Sequence, residues 1–383
     1  MTKTVAFFSG YYLPHFGGIE RYTYNVAIRL RKKGYNIIVV TSQENNQKDE
    51  EIIDGVKVYR LPIRKIWQER YPFFKKNQHY KQLLQKIREE KIDYYVCNTR
   101  FQLPALLGTQ LAKENNKKAL VLEHGTTYLT LNNKFLDFFL HKVEKILIQR
   151  VKKNTDIFYG VSQEAADWLK EFNINSKGVL YNAVDPAEFD KYFTQKTKPD
   201  KITISFSGRL QATFKGVEIL LSAFEQLSKE YNNVELIIAG DGPIYKKMTQ
   251  RYQQENIKFL GYIHHDKVME LNNQSDIFVL LSKIEGFSTS MIEAAMMKNV
   301  VITTDVGGAY ELLPDSTYGY VIENSEEALL KALRDLINHP EKIRPIQEKV
   351  SQRVMEKYTW NKTVENFEKA FIELESCTQL LER

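Results

Sequence analysis

Short β-branched runs alternate with helical patterns along the whole chain, and this alternation restricts the available folds more than any other feature. In the first half, strand-like runs fall at 4–9, 36–41, 56–60, 93–97, 119–123, 156–160 and 178–181. Amphipathic patterns lie between most of them, for example at 19–33, 79–90 and 162–171. Strands separated by helix-length segments predict parallel sheets with crossover helices, because parallel neighbours cannot be joined by a tight hairpin. The second half repeats the order, with strands near 202–206, 234–239, 257–260, 276–281, 300–303 and 318–322. Asn182 to Asp200 is polar, contains Pro186 and Pro199, and reads as the linker. At 383 residues the chain exceeds the usual single core. The expectation is an α/β protein of two doubly wound domains, residues 1–190 and 191–360, with a last helix opening at Tyr358-Thr359-Trp360.

Ligands of open α/β sheets bind beyond the carboxyl ends of the strands, and one segment there stands out. Glu285-Gly286-Phe287-Ser288-Thr289-Ser290-Met291-Ile292-Glu293 places two carboxylates eight positions apart, ahead of the helix-forming run Ala294-Ala295-Met296-Met297. Ser288 or Ser290 can cap that helix. Its free N–H groups and positive dipole end suit an electron-rich ligand. Even in a continuous helix the carboxylates would be ~12 Å apart, beyond the roughly 5–9.5 Å of a glycosidase acid/base pair. They read as two anchors on one long ligand, against the plainer reading of a helix cap with a surface Glu.

Upstream, the alternating strand Ile202-Thr203-Ile204-Ser205-Phe206 runs into Ser207-Gly208-Arg209-Leu210. Lys215-Gly216 then heads a helix with apolar Val217, Leu220, Leu221, Phe224 and Leu227. Two cations at a strand's carboxyl end suit a diphosphate, each interacting with a phosphate charge by about 4 kcal/mol at 4 Å and an effective dielectric of ~20. Taken singly, each could equally be a solvated surface charge. No Asp-x-Asp pair occurs in the sequence, so no metal clamp for a nucleotide diphosphate is evident.

At the start of the chain, Val5-Ala6-Phe7-Phe8-Ser9 reads as a buried strand. It leads to Tyr12-Leu13-Pro14-His15-Phe16-Gly17-Gly18-Ile19-Glu20-Arg21 and an amphipathic helix. The paired glycines allow close approach of a ligand to the backbone. The order of motifs is Gly17-Gly18, His124-Gly125, Gly208-Arg209 with Lys215-Gly216, Ala-Gly-Asp-Gly-Pro at 239–243, then Glu285 and Glu293. Over about residues 3–360 this order resembles the retaining glycosyltransferases of family 4, which have the two-Rossmann GT-B architecture. Met297-Lys298-Asn299-Val300 departs from it, where that family often has a small residue, Gly and Pro.

The resemblance implies two domains facing across a cleft, with the last helix crossing back onto the first. It further implies that Glu285 contacts donor-sugar hydroxyls and that Glu293 holds the ribose diol. Arg209 and Lys215 would bind the diphosphate and Gly17, beside Gly18, would donate an N–H to it. Gly286, Phe287, Ser288 and Thr289 would line the sugar and phosphates, largely through backbone N–H groups. His124 would lie by the reacting sugar and acceptor; without the resemblance it could equally be a hydrogen-bonded structural His. Tyr262 and Ile263 would border the base. The implied reaction is retaining hexosyl transfer from a nucleotide-diphosphate sugar, a UDP-sugar being favoured as the commoner donor, with no cofactor and no metal. A non-hydrolysing nucleotide-sugar epimerase of the same architecture is the alternative. A nicotinamide oxidoreductase is disfavoured, since no Gly-x-Gly-x-x-Gly follows the first strand.

Charge bears on the acceptor. Residues 1–190 hold 30 Lys/Arg against 21 Asp/Glu, a net +9, whereas 191–383 hold 24 against 27, a net −3. In 60–91, Arg64, Lys65, Arg70, Lys75, Lys76 and Lys81 interleave with Trp67, Tyr71, Phe73 and Phe74, and 135–153 mixes apolar and basic groups at helical spacing. Both segments fit an anionic membrane surface or, as plainly, a solvated face over an ordinary core. A glycan or lipid-linked acceptor of cell-surface polysaccharide synthesis is therefore expected. Nucleic acid is not, since no motif of a known binding module accompanies the charge. Cys97 and Cys377 sit far apart in apolar settings and are expected as buried thiols in a reducing compartment. His264-His265 read as surface loop residues. With no secretory leader pattern and no apolar run approaching 18 residues, a cytoplasmic protein is expected, peripheral at most on the inner face of the cell membrane.

Overall fold

The computed structural model describes residues 2–15, 17–44, 47–64, 71–130, 133–195, 201–211 and 214–381, with side chains only to 376 in the last helix. Phe16, Lys65, Trp67, Arg70, residues 196–200 of the expected linker and the Cys377 side chain lie outside them. The chain divides into two compact units, Met1–Tyr181 with Trp360–Arg383, and Asn182–Thr359.

The first unit opens with β1 (Thr4–Phe8), α1 (Gly18–Lys32) and β2 (Asn36–Ser42), followed by β3 (Glu50–Ile53) and β4 (Val56–Leu61). A small ribbon, β5 (Ile63–Arg64) with β6 (Phe73–Phe74), precedes α2 (Gln78–Glu89). Then come β7 (Tyr94–Asn98), α3 (Leu103–Glu114), β8 (Ala119–Glu123), α4 (Lys134–Lys152), β9 (Ile157–Gly160), α5 (Gln163–Trp168) and β10 (Gly178–Val179). Eight strands form one sheet in the order β10-β9-β8-β7-β1-β2-β4-β3. All neighbours are parallel except β3 and β4. Central strands such as Val5–Phe8 are buried throughout, as expected of a sheet covered on both faces. Cys97 is a free thiol in that core, and burial pushes its pKa up.

The strand at 50–53 has no counterpart in the sequence reading. Its hairpin turns on Asp54 (φ 49°) and Gly55 (φ 78°), the two positive-φ residues of a tight turn whose twist matches the strands. Described residues of the 60–91 segment pack into this unit. Arg60 is buried and paired with Glu51 at 2.6 Å, Tyr71 is buried with its hydroxyl on the Phe101 carbonyl at 2.6 Å, and Tyr80 lies in the core. Phe73 and Phe74 are half-buried, and Lys75 and Lys76 are exposed.

In the second unit, α6 (Pro186–Tyr192) is followed by β11 (Ile202–Ser207), α7 (Val217–Glu230), β12 (Val234–Ala239) and α8 (Tyr245–Arg251). Next are β13 (Ile257–Gly261), α9 (His265–Gln274), β14 (Ile277–Leu280), α10 (Thr289–Met296) and β15 (Val300–Thr304). The unit closes with α11 (Ala309–Leu312), β16 (Tyr320–Ile322), α12 (Glu326–Asn338) and α13 (Ile343–Lys357). Its six-stranded sheet runs β13-β12-β11-β14-β15-β16, parallel throughout.

The division falls at Tyr181/Asn182 rather than at 190/191. Asn182 donates from Nδ2 to the Phe287 carbonyl and to Thr289 Oγ1, both at 2.8 Å, so the expected linker begins as part of the second unit. The last helix, α14 (Trp360–Leu381), belongs to the first unit. Val364, Phe367, Phe371 and Leu374 recur on one buried face, Phe371 stacks on Tyr94 at 4.3 Å, and Lys33 pairs with Glu368 at 2.6 Å.

Candidate active site

In each sheet the chain first builds outward to one side and then returns to build on the other, which creates a switch point where the two following loops diverge. In the second unit that point lies between β11 and β14, and their loops carry Arg209, Lys215 and Glu285. Lys215 Nζ meets Glu285 Oε1, and Ser282 Oγ donates to the same oxygen at 2.6 Å. Lys283 N also donates to the Phe214 carbonyl at 2.9 Å, so the two loops are joined by backbone as well. Arg209 is exposed. Its backbone is held by Leu210 N on the Asp241 carbonyl at 2.9 Å. Gly240 (φ 141°) is required there, since a Cβ would come within 1.9 Å of the Gly208 carbonyl oxygen. The Ala-Gly-Asp-Gly-Pro motif thus supports the arginine loop.

Beyond Glu285, Gly286 and Phe287 turn the chain into α10. Phe287 is buried edge-on against Tyr358, with ring centres 5.1 Å apart. Its ring lies so close to Gly308 (φ 82°) that a Cβ there would sit 2.0 Å from Cδ2. Ser288 takes the N-cap position without a side-chain cap bond; its Oγ instead lies 3.1 Å from Ser290 Oγ. The Ser side chains therefore leave the first amides of the helix, from Thr289 on, uncapped. Glu293 lies just over a turn inside α10, nearly buried, with Oε1 3.8 Å from His265 Nδ1. The other His265 nitrogen is 2.7 Å from Glu188 Oε1. His265 is thus no surface loop residue: it opens α9, half-buried between two carboxylates. After β13, Tyr262 is exposed, while Ile263 packs on Ile237, Ala239 and Leu271.

In the first unit the switch point lies between β1 and β7. Gly17 is the N-cap of α1, in extended backbone, and a Cβ on it would lie 2.3 Å from Glu20 Oε2, whereas Gly18 faces open space. Burial raises the Glu20 carboxyl pKa. Asn98 ends β7 and is followed by Thr99 at φ 62°, a costly conformation for a β-branched residue. Asn98 Nδ2 donates to Thr23 Oγ1 at 2.8 Å, and Thr23 Oγ1 donates to the Ile19 carbonyl at 2.8 Å. Asn98 Oδ1 is therefore the acceptor facing His124 Nε2 at 3.0 Å. This chain assigns the proton to Nε2 and leaves Nδ1 as the basic nitrogen. His124 meets Tyr22 edge-on at 5.2 Å, and burial pushes its imidazole down to about 3.

The structure brings Lys215 together with Glu285, and Phe287 to Thr289 with the start of α10, all in the second unit. Gly17, Gly18 and His124 belong to the first. Sequence reasoning missed Asn98, Asn182 and His265. All three are tied to their partners by contacts more than 25 positions apart, Asn98 lying just past the strand-like run 93–97. Among the described residues, no three His, Cys, Asp or Glu side chains form a metal-binding group. Nor is any helix among them long and apolar enough to cross a membrane.

Two family models match the chain in tandem: Glycosyltransferase Family 4 over residues 16–188 and Glycosyl transferases group 1 over residues 188–353. An uncharacterised glycosyltransferase of Methanocaldococcus jannaschii is 27% identical over 95% of this chain and 97% of its own length. One component of the human phosphatidylinositol N-acetylglucosaminyltransferase is 27% identical over 97% of this chain and 76% of its own. Among solved structures, sucrose-phosphate synthase from Thermosynechococcus elongatus superposes with a TM-score of 0.73 at 18% identity, covering 98% of this chain and 100% of the other. Anabaena HepE, solved with UDP-glucose, gives 0.73 at 16% identity, covering 97% and 100%. With both halves matched in order and the fold shared, the chain belongs to the family 4, group 1 glycosyltransferases and is a transferase of the GT-B fold.

Proposed function

We propose that this transferase moves a hexosyl unit, with retention, from a UDP-sugar to a glycan or lipid-linked acceptor, without a metal. The observation that carries the reading is the Lys215–Glu285 pair at the β11/β14 switch point, with the exposed Arg209 on the loop that follows β11. In this reading the two cations receive the diphosphate charge that grows as the glycosyl C1–O bond breaks. Glu285, already oriented by Ser282 and Lys215, accepts hydrogen bonds from donor-sugar hydroxyls. Glu293 accepts the ribose diol, while the amides around Phe287–Thr289 and of Gly17, beside Gly18, serve the phosphates and Tyr262 and Ile263 border the base. The acceptor oxygen attacks C1 on the face the diphosphate leaves, and its proton passes to a diphosphate oxygen. His124, its Nδ1 unprotonated, accepts from a hydroxyl of the sugar or acceptor.

UDP-glucose in HepE and the phosphatidylinositol N-acetylglucosaminyltransferase name of the human relative support the UDP-sugar and the lipid acceptor respectively. An epimerase has no comparable support, since both matching family models describe glycosyltransferases. The setting we favour is the cytoplasmic face of the cell membrane, in cell-surface polysaccharide synthesis. A panel of nucleotide sugars in a melting assay tests the donor, because a ligand at a hundredfold its Kd adds about 2.7 kcal/mol. UDP-sugars should raise the melting point in the presence of EDTA. Stabilisation that needs magnesium or manganese, or none with any nucleotide sugar, would sink the proposal.

A further inference from the structure

The helix α4 is anchored on one side only. Glu144, Ile148 and Val151 are its buried residues. On the opposite face, Phe135, Phe139, Val143 and Ile146 follow at i, i+4, i+8 and i+11, a single stripe on a helix surface. They are 70%, 49%, 51% and 54% exposed, and Leu136 and Phe138 beside them are similarly open. Half of the exposed large apolar side chains among the described residues lie on this one helix. Isolated exposed apolar groups are ordinary, but a contiguous stripe marks a docking surface.

The charges around the stripe select the occupant. Lys142, Lys145, Arg150 and Lys153 are exposed on the same outward half of the helix. Lys142 Nζ stands 4.2 Å over the Phe138 ring, its stem along the apolar face. The acids turn away: Asp137 accepts from Thr130 Oγ1 at 2.7 Å, and Glu144 is buried on Arg100. Protein interfaces deplete lysine around their apolar core, whereas helices lying in a bilayer surface combine Phe and Leu with Lys and Arg that reach the headgroups. We propose that α4 is a bilayer-contacting element that seats its Phe135–Ile146 stripe in the interfacial layer of an anionic membrane. The inference goes beyond the transferase reading and does not depend on the donor.

The test is flotation of the full chain with vesicles of phosphatidylcholine containing about a quarter phosphatidylglycerol, enough for a negative surface potential. The protein should float at low salt and less at ~1 M, where the Debye length is about 3 Å. F135S/F139S should lower the bound fraction at least tenfold with melting and UDP binding unchanged. K142E/R150E should weaken binding to these vesicles and leave the small binding to pure phosphatidylcholine unaltered. In F139W the new indole should shift to the blue on vesicle addition and be quenched by brominated lipid. The inference is overturned if the wild type fails to float, or if F135S/F139S floats as well as wild type. Self-association abolished by F135S/F139S, without vesicle binding, would overturn it in favour of a protein interface. Loss of UDP binding in every protein would count against the donor reading and leave this one intact.

Discussion

Glu293 is the side chain whose replacement best tests the donor site. It is nearly buried and faces His265, so Glu293→Ala should leave a folded protein that lacks two charge-assisted acceptors. Such bonds contribute ~1.5–3 kcal/mol each, so the donor KM should rise at least tenfold; an unchanged value would remove Glu293 from the site. His124 gives a second test through its titration. Its folded pKa of about 3 lies below the unfolded value near 6.5. As pH falls from 6.5 towards 3, the unfolded chain gains a proton that the folded ring refuses, so stability declines in that window by at most ~1.4 kcal/mol per pH unit. Denaturant titrations at pH 7 and pH 5 should show a smaller difference for His124→Gln than for wild type. Sequence alone pointed to both residues. It could not point to Asn98 as the group orienting His124, because the two are 26 positions apart and meet only when β7 and β8 pair.

At the scale of elements, α4 depends on a buried ion cluster. Arg100, following β7, forms ion pairs with Glu123 Oε2 of β8 at 2.7 Å and with Glu144 of α4, with its guanidinium over the rings of Phe101, Trp168 and Phe172. Two carboxylates share one cation, and burial pushes the Glu144 carboxyl up to about 7 in spite of Arg100. Arg100→Ala should therefore cost about 3–5 kcal/mol, since it leaves carboxylates buried without a counter-charge. Glu144→Gln should be far milder, because burial already favours the neutral carboxyl and the amide keeps its shape and its acceptor oxygen. Thermal melts of the two variants at pH 7 check the order; equal losses would contradict it. Most elements were readable from periodicity, with two kinds of exception. The β3–β4 hairpin escapes a reading tuned to parallel units although Asp54-Gly55 marks it, and α6 is hidden in a polar segment that reads as linker.

For the whole molecule, the division of labour between the units can be observed directly. UDP should slow amide exchange in the loops after β11, β13 and β14 and at the start of α10, with Gly17 and Gly18 the first-unit amides affected. Protection spread through the first unit's sheet instead would contradict the donor assignment. The sequence by itself determined the class of fold and most of the strands and helices of both units. These follow from local periodicity, which needs no tertiary information. Only the tertiary structure decided where the units divide, which positive groups meet which carboxylates and which basic-aromatic segment faces outward. Residues 60–91 and α4 look alike in composition, but Tyr71 and Tyr80 are buried in their own unit whereas Phe135, Phe138 and Phe139 of α4 are exposed. Burial depends on what the rest of the chain packs against each face, which no local pattern encodes.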